Sequence, residues 1–248
     1  MADYVYRTVM LDIKRRILAG EYEGMRLPDE RSLAEQYQVS RSSMKRALEL
    51  LAQQGIVFKK RGSGTFINPL YLKNQAMFRY EGSNLGLTDS FLAPGKKQGI
   101  KLLEFKVVKA SPETAQDLFL SENDFVYQFK RLRLLDGQPF LIEEGFVPIK
   151  ILPELKEEIL QELKEEILQG SLFNYLEDAQ NKAVTRSYLT ITVSPSSAED
   201  QEALQLKGTE PVGVMDGIFF LDDGTPFEVS SMRVHYKYMR FNSFVNLN

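Results

Sequence analysis

Apolar residues recur every three or four positions through the first quarter of the chain, and every second position through much of the rest. Val5, Val9, Ile13 and Ile17 stand at steps of four, with Leu11 and Leu18 on the flank. This is the pattern of one amphipathic helix, Tyr4 to Ala19, stopped at Gly20. Leu27-Pro28 closes a short loop. Asp29 is an N-cap, with Glu30 in the first turn where the helix dipole favours an acid, and Leu33, Ala34 and Tyr37 give a short second helix. Gln38-Val39 reads as a tight turn. Ser40 caps a third helix that runs to about Gln54 and ends at Gly55, a C′ glycine. Met44, Ala47, Leu48 and Leu51 make its apolar stripe. In IVFKK-RGSG-TFI, two short β-type runs flank a glycine-rich tip, which predicts a hairpin.

From Pro69 to about Tyr80 no period is visible, and the segment reads as a linker. From Lys101 the pattern is that of strands: KLLEFKVVKA, FVYQFKRLRLL with a DGQP turn, FLIEEGFVP, SYLTITVSP, and two runs around a DDGTP turn ending in MRVHY. A short helix capped by Ser111 lies in SPETAQDLF, and others lie in SLFNYLEDA and AEDQEALQL. ELKEEILQ occurs twice in tandem, at 154–161 and 162–169, an acidic helical segment that adds about two turns. Hairpin connections predict a largely antiparallel sheet and an α+β fold. The expected organisation is a head over residues 1–70, a linker over 71–80 and a larger domain over 81–248.

Charge divides along the same line. Residues 1–73 hold 13 Lys and Arg against 8 Asp and Glu, a net +5, while the remainder holds 18 against 26, a net −8. A basic head on an acidic body implies that only the head meets a polyanion. Cysteine is absent, which excludes disulfides, thiolate metal sites and a cysteine nucleophile and fits a reducing cytoplasm. The first residues carry charges inside their apolar run, unlike a secretory signal, and no stretch approaches a membrane span. The single histidine, His235, has no second histidine for a metal pair and reads as structural.

The third helix concentrates the chemistry. Arg41, Ser42 and Lys45 lie opposite the apolar stripe near the helix start, where a recognition helix meets base edges. Long cations suit guanine O6/N7 and phosphate, and the short hydroxyls of Ser42 and Ser43 suit close approach to the backbone. Taken alone, this is also the pattern of an ordinary solvated helix face. The preceding short helix, the tight turn and the basic hairpin, with Lys59, Lys60 and Arg61 beside Gly62, together specify a winged helix-turn-helix.

The run LPDERSLAEQYQVSRSSMKRALELLAQQGIVFKKRGSGTFI resembles the GntR family of bacterial regulators, over about residues 4–68. The resemblance implies DNA contacts from Arg31, Arg41, Ser42, Ser43 and Lys45, with Gly62 of the wing entering the minor groove. Arg46, offset by one position, is placed at phosphate, beside Lys60 and Arg61.

In the larger domain, Arg131 and Arg133 alternate on one strand face together with Phe129 and Leu135, an arrangement suited to anion capture or equally to a solvated outer face. Glu143 and Glu228 each sit in a β-type run, where glutamate is disfavoured. A ligand, an arginine partner or an exposed face would each account for them. KRLRLLDGQPFLIEEGFVP, GSLFNYLE and DDGTPFEVSSMRVHYKYMRF resemble the UTRA sensor domain of the HutC branch of GntR regulators, over about residues 81–248. The implied fold is an antiparallel sheet with helices, similar to chorismate lyase. The implied effector residues are Thr88, Arg131, Arg133, Ser171, Glu143 and Glu228. Arginines and hydroxyls would hold the phosphate of a sugar phosphate, and the glutamates its hydroxyls or an amine. Phe173 stands where many relatives have tyrosine, and Glu144 where arginine is common.

The expectation is a homodimeric, ligand-responsive DNA-binding regulator, a repressor by resemblance, on palindromic double-stranded operators, with no cofactor and no metal. Two alternatives stay open at this point. One is a metabolic enzyme of chorismate-lyase-like fold, against which stand the missing nucleophile–base pair, HExxH, P-loop and GxSxG. The other is a nonspecific architectural DNA-binding protein.

Overall fold

The computed structural model describes residues 5–73, 97–155, 167–168, 170–180 and 182–239. These fall into two compact units, one within residues 1–83 and one within 84–240.

The first unit follows its apolar stripes. Helix α1 (Val5–Leu18) buries Val9, Met10, Ile13 and Ile17. Helix α2 (Glu30–Gln36) starts at Asp29, whose side chain accepts from Ser32 N at 2.9 Å. Helix α3 (Arg41–Gln53) starts at Ser40, which accepts from Ser43 N at 3.1 Å, and buries Met44, Ala47, Leu48 and Leu51. The turn between α2 and α3 requires Gln38 in the left-handed region, at φ 53°. Strands β1 (Val57–Lys60) and β2 (Gly64–Ile67) form an antiparallel hairpin with Gly62 at its tip, at φ 72°.

Two features were not legible in the pattern. Arg26 bridges to Phe66, and Leu27 N donates to Thr65 O at 2.9 Å, so the loop before α2 extends the wing sheet. Pro69–Lys73, where no period is visible, forms a helical turn, α4, with Tyr71 buried. Its start signal is local: Asn68 Oδ1 accepts from Leu70 N at 3.0 Å, and proline occupies the first helical position.

The second unit is a six-stranded antiparallel sheet in the order β3-β4-β5-β8-β7-β6. Its strands are β3 (Gln98–Lys109), β4 (Phe125–Leu135), β5 (Gln138–Pro148), β6 (Val184–Pro195), β7 (Pro211–Leu221) and β8 (Pro226–His235). Asp136 and Gly137, at φ 51° and 79°, make the two-residue β4–β5 turn whose twist matches the strands. Helices α5 (Pro112–Asp117), α6 (Leu172–Gln180) and α7 (Ala198–Ala203) complete the unit.

Alternation assigns the two faces. One packs Ile142, Val212 and Val214 against Leu204 and Leu206, just beyond α7. There Asp200 closes a reciprocal cap with Ser197 and accepts from Arg233 at 2.6 and 2.8 Å. The other face carries Phe129, Arg131 and Arg133 of β4, Glu143 and Gly145 of β5, and Glu228, Ser230 and Met232 of β8. The Phe129 ring lies over Gly145 so closely that a Cβ there would stand 2.1 Å from it. Most of the duplicated ELKEEILQ segment, and Thr88, lie outside the described residues.

Candidate functional site

The head presents its cations on exposed positions. Arg31, in the first turn of α2, is exposed and donates to Glu35 at 3.0 Å, one helical turn on. Arg41, Ser42, Lys45 and Arg46 of α3 and Lys60, Arg61 and Gly62 of the wing are exposed, and Ser43 is half-buried. The Ser42 and Ser43 hydroxyls each lie 2.9 Å from Ser40 Oγ, so both belong to the cap that starts α3. Lys45 sits 3.8 Å from Glu49. The Arg46 guanidinium lies 4.1 Å from the centre of the Tyr6 ring, packed on α1. Lys59 reaches Glu30 at 4.0 Å, so the start of α2, which carries Arg31, meets the wing strand. Arg26 supports that wing from below. Its guanidinium is 5.8 Å from the Phe66 ring centre, and Gly64 leaves it room, since a Cβ there would lie 3.1 Å from it. Neither Arg26 nor Glu30 carries a local sequence signal for this role.

The second unit holds a charge cluster inside the protein. Arg131 and Arg133 are 2% and 4% exposed, and Glu143 and Glu228 are each 2% exposed. These side chains therefore lie in the interior and not on a solvated outer face. One carboxylate oxygen, Glu143 Oε2, accepts from Arg131 Nε at 3.1 Å and from Arg133 Nε at 3.0 Å, with Arg131 Nη2 at 2.9 Å. Register accounts for this, because Arg131 and Glu143 are direct partners across β4 and β5. Arg131 Nη1 also donates to the carbonyls of Leu168 and Gly170, at 3.3 and 3.2 Å. Ser171, half-buried, follows at the start of α6, and Phe173 packs edge-on against Phe219 and Phe227. Glu144, the neighbour of Glu143, points to the opposite face and accepts from Gln128 at 2.5 Å. His235 stacks on Tyr236, and its Nδ1 accepts from Lys237 N at 3.2 Å, a structural arrangement.

The two acids differ in state. Burial works to raise the Glu143 carboxyl, but Arg131 and Arg133 outweigh it and hold it below the usual carboxylate range. Burial, reinforced by the negative charge of Glu143, pushes Glu228 up to about 8 despite the two arginines. Burial also draws Arg133 below the ordinary arginine value.

A pH dependence follows. Glu228 is raised above its unfolded value of 4.5, so its contribution to stability is fully present below pH 4.5 and is lost as pH rises through about 8. Glu143 is lowered, so its contribution falls away only below that window. Denaturant unfolding from pH 5 to about 8.5 is expected to show the wild-type chain losing stability relative to Glu228→Gln. Parallel profiles would contradict this.

A winged helix-turn-helix joined to an antiparallel-sheet unit with a buried polar cluster defines a DNA-binding regulator with a sensor domain. Comparison with known proteins agrees. Residues 5–67 match the family model described as bacterial regulatory proteins, gntR family, and residues 93–240 match the UTRA domain. The chain belongs to the GntR family and is a transcriptional regulator of its HutC type. It is 30% identical over 229 residues to the HTH-type transcriptional regulator GmuR of Bacillus subtilis, covering 92% of each chain. It is 26% identical to the mannosyl-D-glycerate transport/metabolism system repressor MngR of Escherichia coli, covering 91% of this chain and 89% of that one. The crystal structure of the possible transcriptional regulator YydK from B. subtilis superposes with a TM-score of 0.77 at 27% identity, covering 97% of this chain and all of that one. Regulators of this family bind DNA operators and small-molecule effectors. Among the described residues no helix is long and apolar enough to cross a membrane.

Proposed function

We propose that this regulator is a homodimeric repressor that reads a palindromic operator and is released by a phosphorylated sugar. The observation that carries the effector class is the convergence of Arg131 and Arg133 on one oxygen of Glu143, beside a Glu228 that is mostly protonated near pH 7. Buried guanidiniums recognise phosphate or carboxylate by charge-assisted, directional hydrogen bonds. The sugar-system repressor among the relatives, MngR, supports a carbohydrate effector. Ser171 at the start of α6, with Thr88, completes the anion contacts in this reading, and Glu143 and Glu228 take the hydroxyls or amine of the sugar.

In the head, which we place over residues 1–70, Arg31, Arg41, Ser42, Ser43 and Lys45 contact the operator with Gly62. Arg46, Lys60 and Arg61 meet phosphate, with Arg46 reaching it from its seat on Tyr6. Residues 71–80 connect this head to a sensor over 81–248. Effector binding shifts the balance between two states of different operator affinity, and the shift equals the difference in effector affinity for those states.

The test is Arg131→Ala in the full chain, with operator binding followed by anisotropy against a panel of sugar phosphates and the matching free sugars. The variant is expected to hold operator within about threefold of wild type, below the 1.4 kcal/mol of a tenfold change, and to lose release by every sugar phosphate. Release retained in Arg131→Ala, or release of wild type by free sugars alone, would overturn the pocket or the effector class respectively.

A further inference from the structure

The two ends of the sensor sheet are built differently. An open strand edge is a template for pairing, and proteins blunt such edges with lysines, bulges or short strands. At one end, β3 does this: Lys101, Lys106 and Lys109 are exposed along it, and its register slips at Leu103. Read antiparallel to itself about Phe105, it would oppose Lys101 with Lys109. Its one acid there, Glu104, is already held by Lys106 at 2.9 Å.

At the other end, β6 confines its register slip and its one charge, Arg186, to its first three residues and carries a proline only at its last position, Pro195. It is 12 residues long, and from Ser187 to Pro195 it carries no charge and pairs with β7 without a break. Among the described residues no strand covers its outer side. Tyr188 and Val193 are 69% and 72% exposed, and Thr190 and Thr192 are exposed as well.

The same stretch is complementary to itself. Antiparallel pairing about Thr190 puts Thr190 opposite Thr190, Leu189 opposite Ile191 and Tyr188 opposite Thr192. Each pair lies on a common face, because positions related this way share parity. Leu189 and Ile191 are half-buried on the face that carries the charge cluster, so the pairing continues that apolar layer. Hydroxyl meets hydroxyl on the opposite face, and no like charges oppose across the nine uncharged positions. We infer that the outer edge of β6 is the docking surface for a second copy of this chain, joined about a two-fold axis at Thr190 into a continuous twelve-stranded sheet. This specifies the surface for the homodimer proposed above and rests on that reading. A two-fold there supplies two heads per molecule, as a palindromic operator needs.

The chain has no cysteine, so single cysteines report directly. Opposed residues in an antiparallel pair have Cα atoms about 4.5–5.5 Å apart, within the range a disulfide spans. Under mild oxidation, full-length Thr190→Cys is expected to form a covalent dimer. Tyr188→Cys and Thr192→Cys are expected to cross-link when mixed, not alone, and Val107→Cys on β3 is expected to stay monomeric on a non-reducing gel. Thr190→Lys, folded by circular dichroism, is expected to weaken dimerisation at least tenfold in sedimentation while still binding a single half-site. A wild-type chain that sediments as a dimer but gives no cross-link from positions 188–192 would overturn the β6 edge and leave the homodimer standing. A wild-type monomer would overturn both.

Discussion

Glu143→Ala is expected to destabilise the sensor unit by about 3–5 kcal/mol, the cost of leaving buried charge without its partner. Glu143 Oε2 accepts from Arg131 and Arg133 at 3.1 and 3.0 Å, and all three side chains are almost fully buried. Removing the carboxylate strips two interior guanidiniums of a shared acceptor. The neighbouring Glu144→Ala is the internal control. Glu144 points to the other face, is half-buried, and accepts a hydrogen bond from Gln128, so its loss should cost about 1 kcal/mol. Urea unfolding of the full chain, followed through the transition of the sensor unit, separates the two. Equal effects would mean that the cluster is not the energetic centre of that domain.

Arg41→Ala is expected to lower operator preference by about 1–3 kcal/mol per half-site, and so by about 2–6 kcal/mol on a two-fold site. Arg41 is exposed in the first turn of α3, and the Ser40 cap that starts the helix does not depend on its side chain. The fold should therefore be unchanged. The loss should fall on the operator and spare scrambled DNA, because a base contact carries sequence information and a phosphate contact does not. Lys60→Ala should show the converse: weaker binding to all sequences, and a salt slope reduced by about one. If Arg41→Ala weakened operator and scrambled DNA alike, its role at base edges would be refuted.

How much of this was legible in the sequence depended on whether the information was local. The stripes of α1 and α3, the caps at Asp29, Ser40 and Ser111 and the glycine-tipped hairpin are set by neighbours within a few residues, and each stands where the pattern put it. The bridge from Arg26 to Phe66, the contact of Lys59 with Glu30 and the seat of Arg46 on Tyr6 join residues distant in sequence, with no local mark. In the sensor, alternation put Arg131 and Arg133 on one face with Phe129 and Leu135. It could not say which face is interior, since a period of two is symmetric between them. The decision comes from pairing of Arg131 with Glu143 across β4 and β5, and from the carbonyls of Leu168 and Gly170 that accept from Arg131. The same register sends Glu144 away from it. The insertion of β8 between β5 and β7 has no local signal at all.

The most direct measurement of the central claim is selection of DNA from a randomised pool by the full chain, followed by titration of the enriched duplex with wild type, Arg31→Ala and Arg41→Ala. The account predicts enrichment of a two-fold symmetric sequence, bound by wild type far more tightly than a scrambled duplex, with most of that preference lost in either variant. Recovery of no common sequence, or equal preference in all three proteins, would contradict it.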